Sequence, residues 1–99
     1  MTDTEIDKAA GSGFVYFIEA TAHRHIKIGW ANDPARRLQE LQTGSPFNHK
    51  LLGTIPGDRR LEHKLHKDFD EYHAQGEWFF GVKPLRDFIE SNVLHWESK

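Results

Sequence analysis

The sequence predicts a small α+β domain, in which a three-stranded antiparallel sheet is flanked by helices in the order β-β-α-β-α-α. Three observations lead to this prediction: two strand-like runs rich in β-branched and aromatic residues, apolar residues at helical spacing further along, and a length of only 99 residues. That length suits one domain with one hydrophobic core. We place the domain at residues 14–99. Residues 1–13 are polar and end in Gly-Ser-Gly, so we expect them to form a flexible tail.

The first predicted elements are two strands and a helix. The run Phe14–Ile18 has the composition of a buried strand, and His25–Trp30 alternates polar and apolar residues as a half-buried strand does. Residues 20–24 are the expected hairpin loop between them. A helix is predicted to begin at Pro34, because proline suits the first helical position and Asp33 before it can cap the helix.

The second half of the chain predicts one more strand and two more helices. The third strand is expected over His49–Ile55, and Asp58 is expected to cap the second helix. The apolar stripe of that helix is formed by Leu61, Leu65, Phe69 and Tyr72. Residues 76–81 are too few to assign, and Pro84 is predicted to open the last helix. Large aromatic side chains are expected to fill the core, including Phe47, Trp78, Phe79 and Phe80.

Composition limits the classes of function. The absence of cysteine excludes disulfides and thiolate metal sites, and no apolar run is long enough to span a membrane, so we expect a cytoplasmic protein. The net charge is −2, yet residues 23–67 hold nine Lys and Arg against four acidic residues, together with five histidines. This distribution fits a local positive face for nucleic acid, and it equally fits a solvated surface of mixed sign.

Several short motifs in this basic region follow one another in a recognisable order. They are Val15-Tyr16-Phe17, Lys27-Ile28-Gly29, Arg37, a Glu62 and His66 pair, and Gly76-Glu77-Trp78-Phe79. From about Phe14 to Phe80, the chain resembles the GIY-YIG nuclease superfamily, in particular its phage orf172-like branch with degenerate tripeptides. The resemblance implies a metal-dependent endonuclease that hydrolyses DNA, or alternatively RNA, with one Mg²⁺ or Mn²⁺ ion. It also implies the β-β-α-β-α-α order given above.

Glu62 is the residue to which the resemblance assigns the metal. Its place beside the apolar stripe of the second helix predicts partial burial, and His66 projects from the same side one turn later. The residues alone also allow a surface Glu62 paired with Lys64 or Arg59.

Arg37 shares a helix face with Leu38 and Leu41, whereas the neighbouring Arg36 points away. The guanidinium fork suits phosphate, and the resemblance implies that Arg37 stabilises the charge of the transition state. Arg36 is predicted to contact the nucleic-acid backbone or solvent.

Tyr16, Lys27 and His66 complete the predicted catalytic group. The resemblance implies that the Tyr16 hydroxyl orients or deprotonates the attacking water, which as a base would require a lowered pKa; the alternative is an ordinary core tyrosine. His66 is the other candidate base, and the choice between them stays open. Lys27 stands where many members have a second tyrosine. It either neutralises phosphate or is an outward strand lysine.

The remaining candidates are Glu77 and the other histidines. Glu77 either supports the site or only holds the backbone after the second helix. We predict His25 as a nucleic-acid contact, and a surface position is the simpler expectation for the other histidines. A zinc site built from His63, His66 and His73 has no supporting ligand spacing.

The expected partner is DNA, with RNA as the alternative and no membrane. Since a single small domain leaves no room for a separate sequence-reading module, specificity is expected to be weak unless a homodimer or a partner protein supplies it. Two other functions fit the residues: a non-catalytic nucleic-acid-binding module, and a phage or mobile-element protein-interaction domain. The last predicts an exposed apolar surface near Trp30 or Trp96.

Overall fold

The computed structural model of the protein describes residues 13–93, which form a five-stranded antiparallel sheet, three α-helices and one short 3₁₀ helix. The strands are β1 (Phe14–Ala20), β2 (His25–Ala31), β3 (His49–Pro56), β4 (His73–Gln75) and β5 (Trp78–Phe80). The helices are α1 (Pro34–Thr43), α2 (Arg59–Asp68), the 3₁₀ helix (Asp70–Tyr72) and α3 (Lys83–Asn92). Apart from Gly13, the predicted tail lies outside the described residues.

The predicted three-stranded sheet is wrong, although the α+β class agrees with the structure. The strand order is β3-β1-β2-β5-β4, and every neighbouring pair is antiparallel. The two additional strands form a hairpin whose turn contains Gly76 at a φ of 58°, a conformation that favours glycine. Each of these strands has three residues, too few for an alternating pattern to show in the sequence. Pairing with β2, rather than their own composition, makes them strands.

The helix starts agree with the predicted caps. The Asp33 carboxylate accepts a hydrogen bond from the backbone N–H of Arg36, and the Asp58 carboxylate caps α2 in the same way. α2 ends at Asp68, so Tyr72, which we predicted on this helix, lies in the 3₁₀ helix instead. Among residues 13–93, no helix is both long and apolar enough to cross a membrane.

The sheet lies between α1 on one face and α2 with α3 on the other. Alternate residues of β1 and β2 face α2 and α3, where they join the larger core cluster: Val15, Phe17, Ile26, Ile28, Leu65, Phe79, Leu85, Ile89 and Val93. The opposite face forms the smaller cluster against Leu38 and Leu41 of α1: Tyr16, Ile18, Ala31 and Leu51. Tyr16 and the side chains that follow it in alternation therefore belong to the α1 face.

Two aromatic residues that we expected in the core are exposed. Phe47 is 46% exposed and Phe80 is 47% exposed, so that prediction is wrong for both. Trp78 is half-buried, and only Phe79 of the three consecutive aromatics is buried. Alternation explains the difference, because successive residues of β5 point to opposite faces and only one face meets the core.

The apolar surface expected near Trp30 is absent among the described residues. Trp30 is half-buried and packs on the larger core cluster, and its indole N–H donates to the Gly57 carbonyl at 2.8 Å. The Arg59 guanidinium lies 4.6 Å from the centre of its ring. Trp96, the other residue named in that expectation, lies outside the described residues.

A half-buried ion pair joins the β1–β2 hairpin to α3. An Arg86 terminal nitrogen lies 2.6 Å from a Glu19 carboxylate oxygen, and Arg86 Nε donates to the Gly81 carbonyl at 2.7 Å. Gly81 in turn donates its N–H to the Arg24 carbonyl at the hairpin tip. A Cβ at position 81 would overlap that carbonyl, so glycine is required there by close packing.

Candidate active site

The candidate site forms where β5 stops short of the end of β2. β5 pairs only with His25–Lys27, so from Ile28 onward no strand covers the outer edge of β2 within the described residues. Two hydrogen bonds occupy this edge instead. The Ile28 N–H donates to the Glu77 carbonyl at 2.9 Å, and His66 Nε2 lies 2.8 Å from the Ile28 carbonyl. The edge thus brings α2 and the β4–β5 turn together.

Glu62 is buried at this edge, with 4% of its surface exposed. One of its carboxylate oxygens lies 3.7 Å from His66 Nε2, one helical turn away. The alternative of a surface glutamate paired with Lys64 or Arg59 does not hold. Lys64 pairs with Asp68 at 2.8 Å, and Arg59 lies over Trp30.

Glu77 approaches Glu62 from the β4–β5 turn, and the pKa values of the two carboxyl groups are shifted in opposite directions. Burial raises the pKa of Glu62, and the negative charge of Glu77 adds to this rise. Burial also acts to raise the pKa of Glu77, but the hydrogen bond and positive charge of Lys27 lower it overall. The proton is therefore favoured on Glu62 and the negative charge on Glu77. Neighbouring acids with separated pKa values are typical of active sites.

Lys27 holds Glu77 in place. Its Nζ lies 2.9 Å from a Glu77 carboxylate oxygen and 5.6 Å from the centre of the Trp78 ring. The lysine side chain is 17% exposed, and β2 is an interior strand of the sheet. The alternative of an outward lysine protecting a sheet edge is therefore wrong, because Lys27 points onto the Tyr16 face.

Tyr16 is completely buried and lies across Gly29, its partner on β2. A Cβ at position 29 would overlap the tyrosine ring and hydroxyl, so glycine makes this ring position possible. The hydroxyl makes no hydrogen bond of good geometry among the described residues, although the Arg37 guanidinium lies close enough to it to lower its pKa. Burial raises its pKa, the charge of Arg37 lowers it, and the charges of Glu77 and Glu62 raise it further. The net rise is opposite to the lowered pKa that a general base requires.

The two arginines of α1 differ in the way that helical geometry predicts. The Arg37 side chain is 43% exposed and contributes to the electrostatic environment of the Tyr16 hydroxyl. The Arg36 side chain is 75% exposed. Both reach Glu40, at 3.1 Å and 3.5 Å respectively, and both line a shallow cavity of about 200 Å³ beside the start of α1. Arg37 therefore belongs to the Tyr16 cluster, and Arg36 to the adjoining surface.

His25 does not join this cluster. It lies two residues before Lys27 on the same strand and lines a different cavity. The roles of Gly29 and Trp78 in shaping the site were not predicted from the sequence. A signal for Gly29 was present, because a four-residue hairpin loop places it opposite Tyr16. Nothing in the sequence indicated that Trp78 would lie beneath Lys27.

The donor set bears on the metal that the resemblance implies. Among the described residues, no group of three His, Cys, Asp or Glu side chains is arranged to hold a metal ion, which leaves the zinc alternative without support. Two neighbouring carboxyl groups, Glu62 and Glu77, and the unpartnered Tyr16 hydroxyl do suit one hard divalent cation. Mg²⁺ and Mn²⁺ fit best, since they accept few protein ligands and retain water.

Comparison with known proteins identifies the domain. A search of curated proteins found no match, and a search of solved structures found none either. The model of the T5orf172 domain family matches residues 13–93, which cover the whole sheet, all three helices and every residue of the candidate site. The chain therefore belongs to the T5orf172 domain family, a phage-related domain of the nuclease-like type.

Proposed function

We propose that this domain is a GIY-YIG-type endonuclease that hydrolyses phosphodiester bonds in DNA, with RNA as the second substrate to test. One observation carries the proposal: groups suited to this chemistry come from four elements and one turn and meet near the free edge of β2. They are Tyr16, Lys27, Arg37, Glu62, His66 and Glu77. A buried carboxyl group with a second, half-exposed carboxyl group beside it and a buried hydroxyl that makes no hydrogen bond both cost stability. Their presence in one place supports a functional reason for keeping them.

The reaction requires water to attack phosphorus while negative charge builds up on the phosphate oxygens. Arg37 supplies positive charge from a half-exposed position that leaves it accessible to a phosphate. Lys27 supplies a second positive charge and is held by Glu77. These two residues neutralise the phosphate in the proposed mechanism.

Tyr16 is the residue proposed to hold the attacking water. Because its pKa is raised, the hydroxyl is protonated at neutral pH and can form hydrogen bonds to water as a neutral group. Neutralising Glu62 and Glu77 would remove two of the influences that raise this pKa and leave the lowering effect of Arg37. Positive charge in the site would thus lower the pKa of Tyr16, whereas burial, the largest influence, would still raise it, so the neutral hydroxyl orients the water rather than accepting its proton.

His66 is proposed to position Glu62 rather than to accept the proton at Nε2. A carbonyl oxygen can only accept a hydrogen bond, so the contact with Ile28 assigns the proton to His66 Nε2. This is also the nitrogen that faces Glu62. Any proton that His66 accepts must therefore go to Nδ1, on the other side of the ring.

Glu62, with Glu77 beside it, would hold the divalent cation in this proposal. When bound, Mg²⁺ or Mn²⁺ supplies positive charge at the phosphate and lowers the pKa of a coordinated water.

The proposal is tested by incubating labelled single-stranded and double-stranded DNA, and the matching RNA, with the protein and Mg²⁺ or Mn²⁺. Glu62→Gln is compared with wild type, and Glu90→Gln, an exposed glutamate on α3, is the matched control. We expect cleavage by wild type and the control, and a loss of about 100-fold or more in Glu62→Gln. A second measurement records the melting temperature with and without Mn²⁺. The ion should raise it in wild type and Glu90→Gln but not in Glu62→Gln.

Three results would contradict the proposal. Cleavage that survives Glu62→Gln would mean that the metal is held elsewhere or that another nuclease is present. Binding of nucleic acid without cleavage, unaffected by Glu62→Gln, would identify a non-catalytic binding module instead. Neither binding nor cleavage would favour the protein-interaction domain.

A further inference from the structure

A second cavity opens at the other end of the same sheet face. It has a volume of about 440 Å³, and three histidines and three large aromatic residues dominate its lining: His23, His25, His49, Phe47, Trp78 and Phe80. No carboxylate of residues 13–93 lines it. The proposed catalytic reaction uses none of these six side chains directly.

The aromatic residues of this cavity expose their rings to solvent. Phe47 and Phe80 are the large hydrophobic residues most exposed within residues 13–93, and both line this cavity. His23 meets the Phe47 ring edge-on at a centroid distance of 4.9 Å, and His25 meets Phe80 in the same way at 5.1 Å. Exposed aromatic rings that are grouped around one cavity mark a place where a ligand can bind and stack.

The loop that carries Phe47 is fixed by several hydrogen bonds. The Gln42 side chain donates to the Phe47 carbonyl at 2.7 Å and accepts from the His49 N–H at 2.8 Å. Ser45 Oγ accepts from the Phe47 N–H at 3.0 Å. The aromatic ring is therefore presented on an ordered loop, which lowers the entropy cost of binding a ligand.

The register of the sheet connects this cavity to the candidate active site. His49, Ala20, His25 and Phe80 form one row across the sheet, because each is paired with the next. The following row on the same face contains Lys27 and its partner Trp78. The two rows are roughly 7 Å apart, as two residues along a strand are. Trp78 lines the cavity and also lies beneath Lys27 of the candidate active site, so one polynucleotide strand can occupy the cavity and the active site together.

We propose that this cavity holds an unpaired nucleobase of the strand that is cut, stacked against Phe47, Phe80 and Trp78. A base in a duplex is covered by its neighbours and cannot enter a recess, so the bound base is single-stranded or turned out of its helix. The histidines can donate hydrogen bonds to the base or to an adjacent phosphate, and His49 Nδ1 is buried without a partner. Among the described residues, no carboxylate lines the cavity to repel the phosphate that adjoins the bound base. This inference rests on the proposed function and specifies its substrate.

The test uses a single-stranded oligonucleotide carrying 2-aminopurine, whose fluorescence is quenched by stacking, with EDTA present so that no cleavage occurs. We expect quenching by wild type, and affinity reduced about 5- to 150-fold with loss of quenching in Phe47→Ala and Phe80→Ala. Phe80→Trp should preserve both, because it keeps a flat ring. His23→Ala is compared with a matched control, His63→Ala, which removes an exposed histidine of α2 instead. A fully paired duplex should show no change in fluorescence when the protein is added.

The results separate this inference from the proposed function. Cleavage of DNA without quenching, or quenching unchanged in both phenylalanine variants, overturns the cavity assignment and leaves the nuclease proposal standing. Quenching that depends on Phe47 and Phe80 without any cleavage supports the cavity assignment and removes the nuclease proposal. Repeating the measurement with the matching RNA shows which sugar the strand carries, and quenching with either one supports the cavity.

Discussion

The Tyr16 hydroxyl lies in the protein interior without a hydrogen-bond partner, although the rest of the ring packs as an ordinary core residue would. An unsatisfied buried hydroxyl destabilises the folded state. Phenylalanine would preserve the ring contacts and remove this cost. The hydroxyl therefore contributes nothing to packing that phenylalanine could not supply, which agrees with the chemical role that we propose for it.

Tyr16→Phe should make the protein more stable and less active. We expect the free energy of unfolding to rise by about 1 kcal/mol, because the unsatisfied hydroxyl is removed. Cleavage should fall about 100-fold, since the group that holds the water is lost. Urea denaturation and a cleavage assay measure the two effects, with Tyr72→Phe as the control that leaves cleavage unchanged. Loss of stability together with unchanged cleavage would make Tyr16 a structural residue.

Glu62 makes stability depend on pH in a direction that its raised pKa determines. The unfolded carboxyl titrates near 4.5, and the folded one above it. As pH rises from the unfolded pKa toward the higher folded pKa, the unfolded state releases its proton first, so the folded state loses stability. Glu77, with a lowered pKa, acts in the opposite direction and loses its contribution as pH falls.

Glu62→Gln isolates the first of these effects, because the glutamine amide can still donate to Glu77 but carries no charge. We expect the variant to melt at the same temperature as wild type below pH 4.5, and at a higher temperature at neutral pH. Thermal melts across this range in the absence of divalent metal provide the measurement. A difference that is constant at all pH values would show that the pKa of Glu62 is not raised by folding.

Residues whose roles follow from local geometry could be predicted from the sequence. The burial of Glu62 followed from its place beside an apolar stripe, and the contrast between Arg36 and Arg37 followed from helical spacing. The pKa of Tyr16 could not be predicted, because burial and distant charges from α1, α2 and the β4–β5 turn set it together.

At the scale of elements, the β4–β5 hairpin decides where the candidate site lies. Because β5 begins only at Trp78, opposite Lys27, the edge of β2 beyond Lys27 meets α2, and the turn of the hairpin delivers Glu77. The long strands and the helix caps could be predicted because their patterns are local. This hairpin could not, since three-residue strands carry no periodicity and are stabilised by pairing with β2. The cavity residues were missed for the same reason, because sheet register alone brings them together.

The Glu19–Arg86 pair is the element-scale contact that we expect to matter most for stability. Removing the Arg86 side chain leaves a Glu19 carboxylate that is only 13% exposed without its partner. Arg86→Ala should lower the free energy of unfolding by about 1–3 kcal/mol, measured in urea. Lys83→Ala, which removes the exposed pair with Asp87 on the same helix, should change it by less than about 0.5 kcal/mol. Equal effects would mean that the Glu19 pair is no stronger than a surface one.

At the scale of the whole molecule, an acidic net charge of −2 coexists with a basic central region. Binding to nucleic acid should therefore depend on a few local contacts and remain sensitive to salt. Arg36 and Arg37 offer a way to separate positioning from catalysis, because they are adjacent in sequence but differ in exposure.

Arg36→Ala should weaken DNA binding and reduce the slope of log affinity against log salt by about 1, with cleavage at saturating DNA unchanged. Arg37→Ala should in addition lower cleavage at saturation by about 100-fold. Fluorescence anisotropy at several salt concentrations and single-turnover cleavage measure the two quantities, with Lys83→Ala as a control for loss of a distant charge. An unchanged slope in Arg36→Ala would place the DNA on another surface.

The position of the Tyr16 ring over Gly29 has a consequence for how this domain can change over evolutionary time. The two residues lie on different strands, yet neither can be replaced freely while the other stays, since any side chain at 29 would occupy the space of the ring. Lineages that gain a larger residue at 29 are expected to have first lost the tyrosine. The glycine therefore marks, from sequence alone, the relatives that can still hold a tyrosine ring in this position.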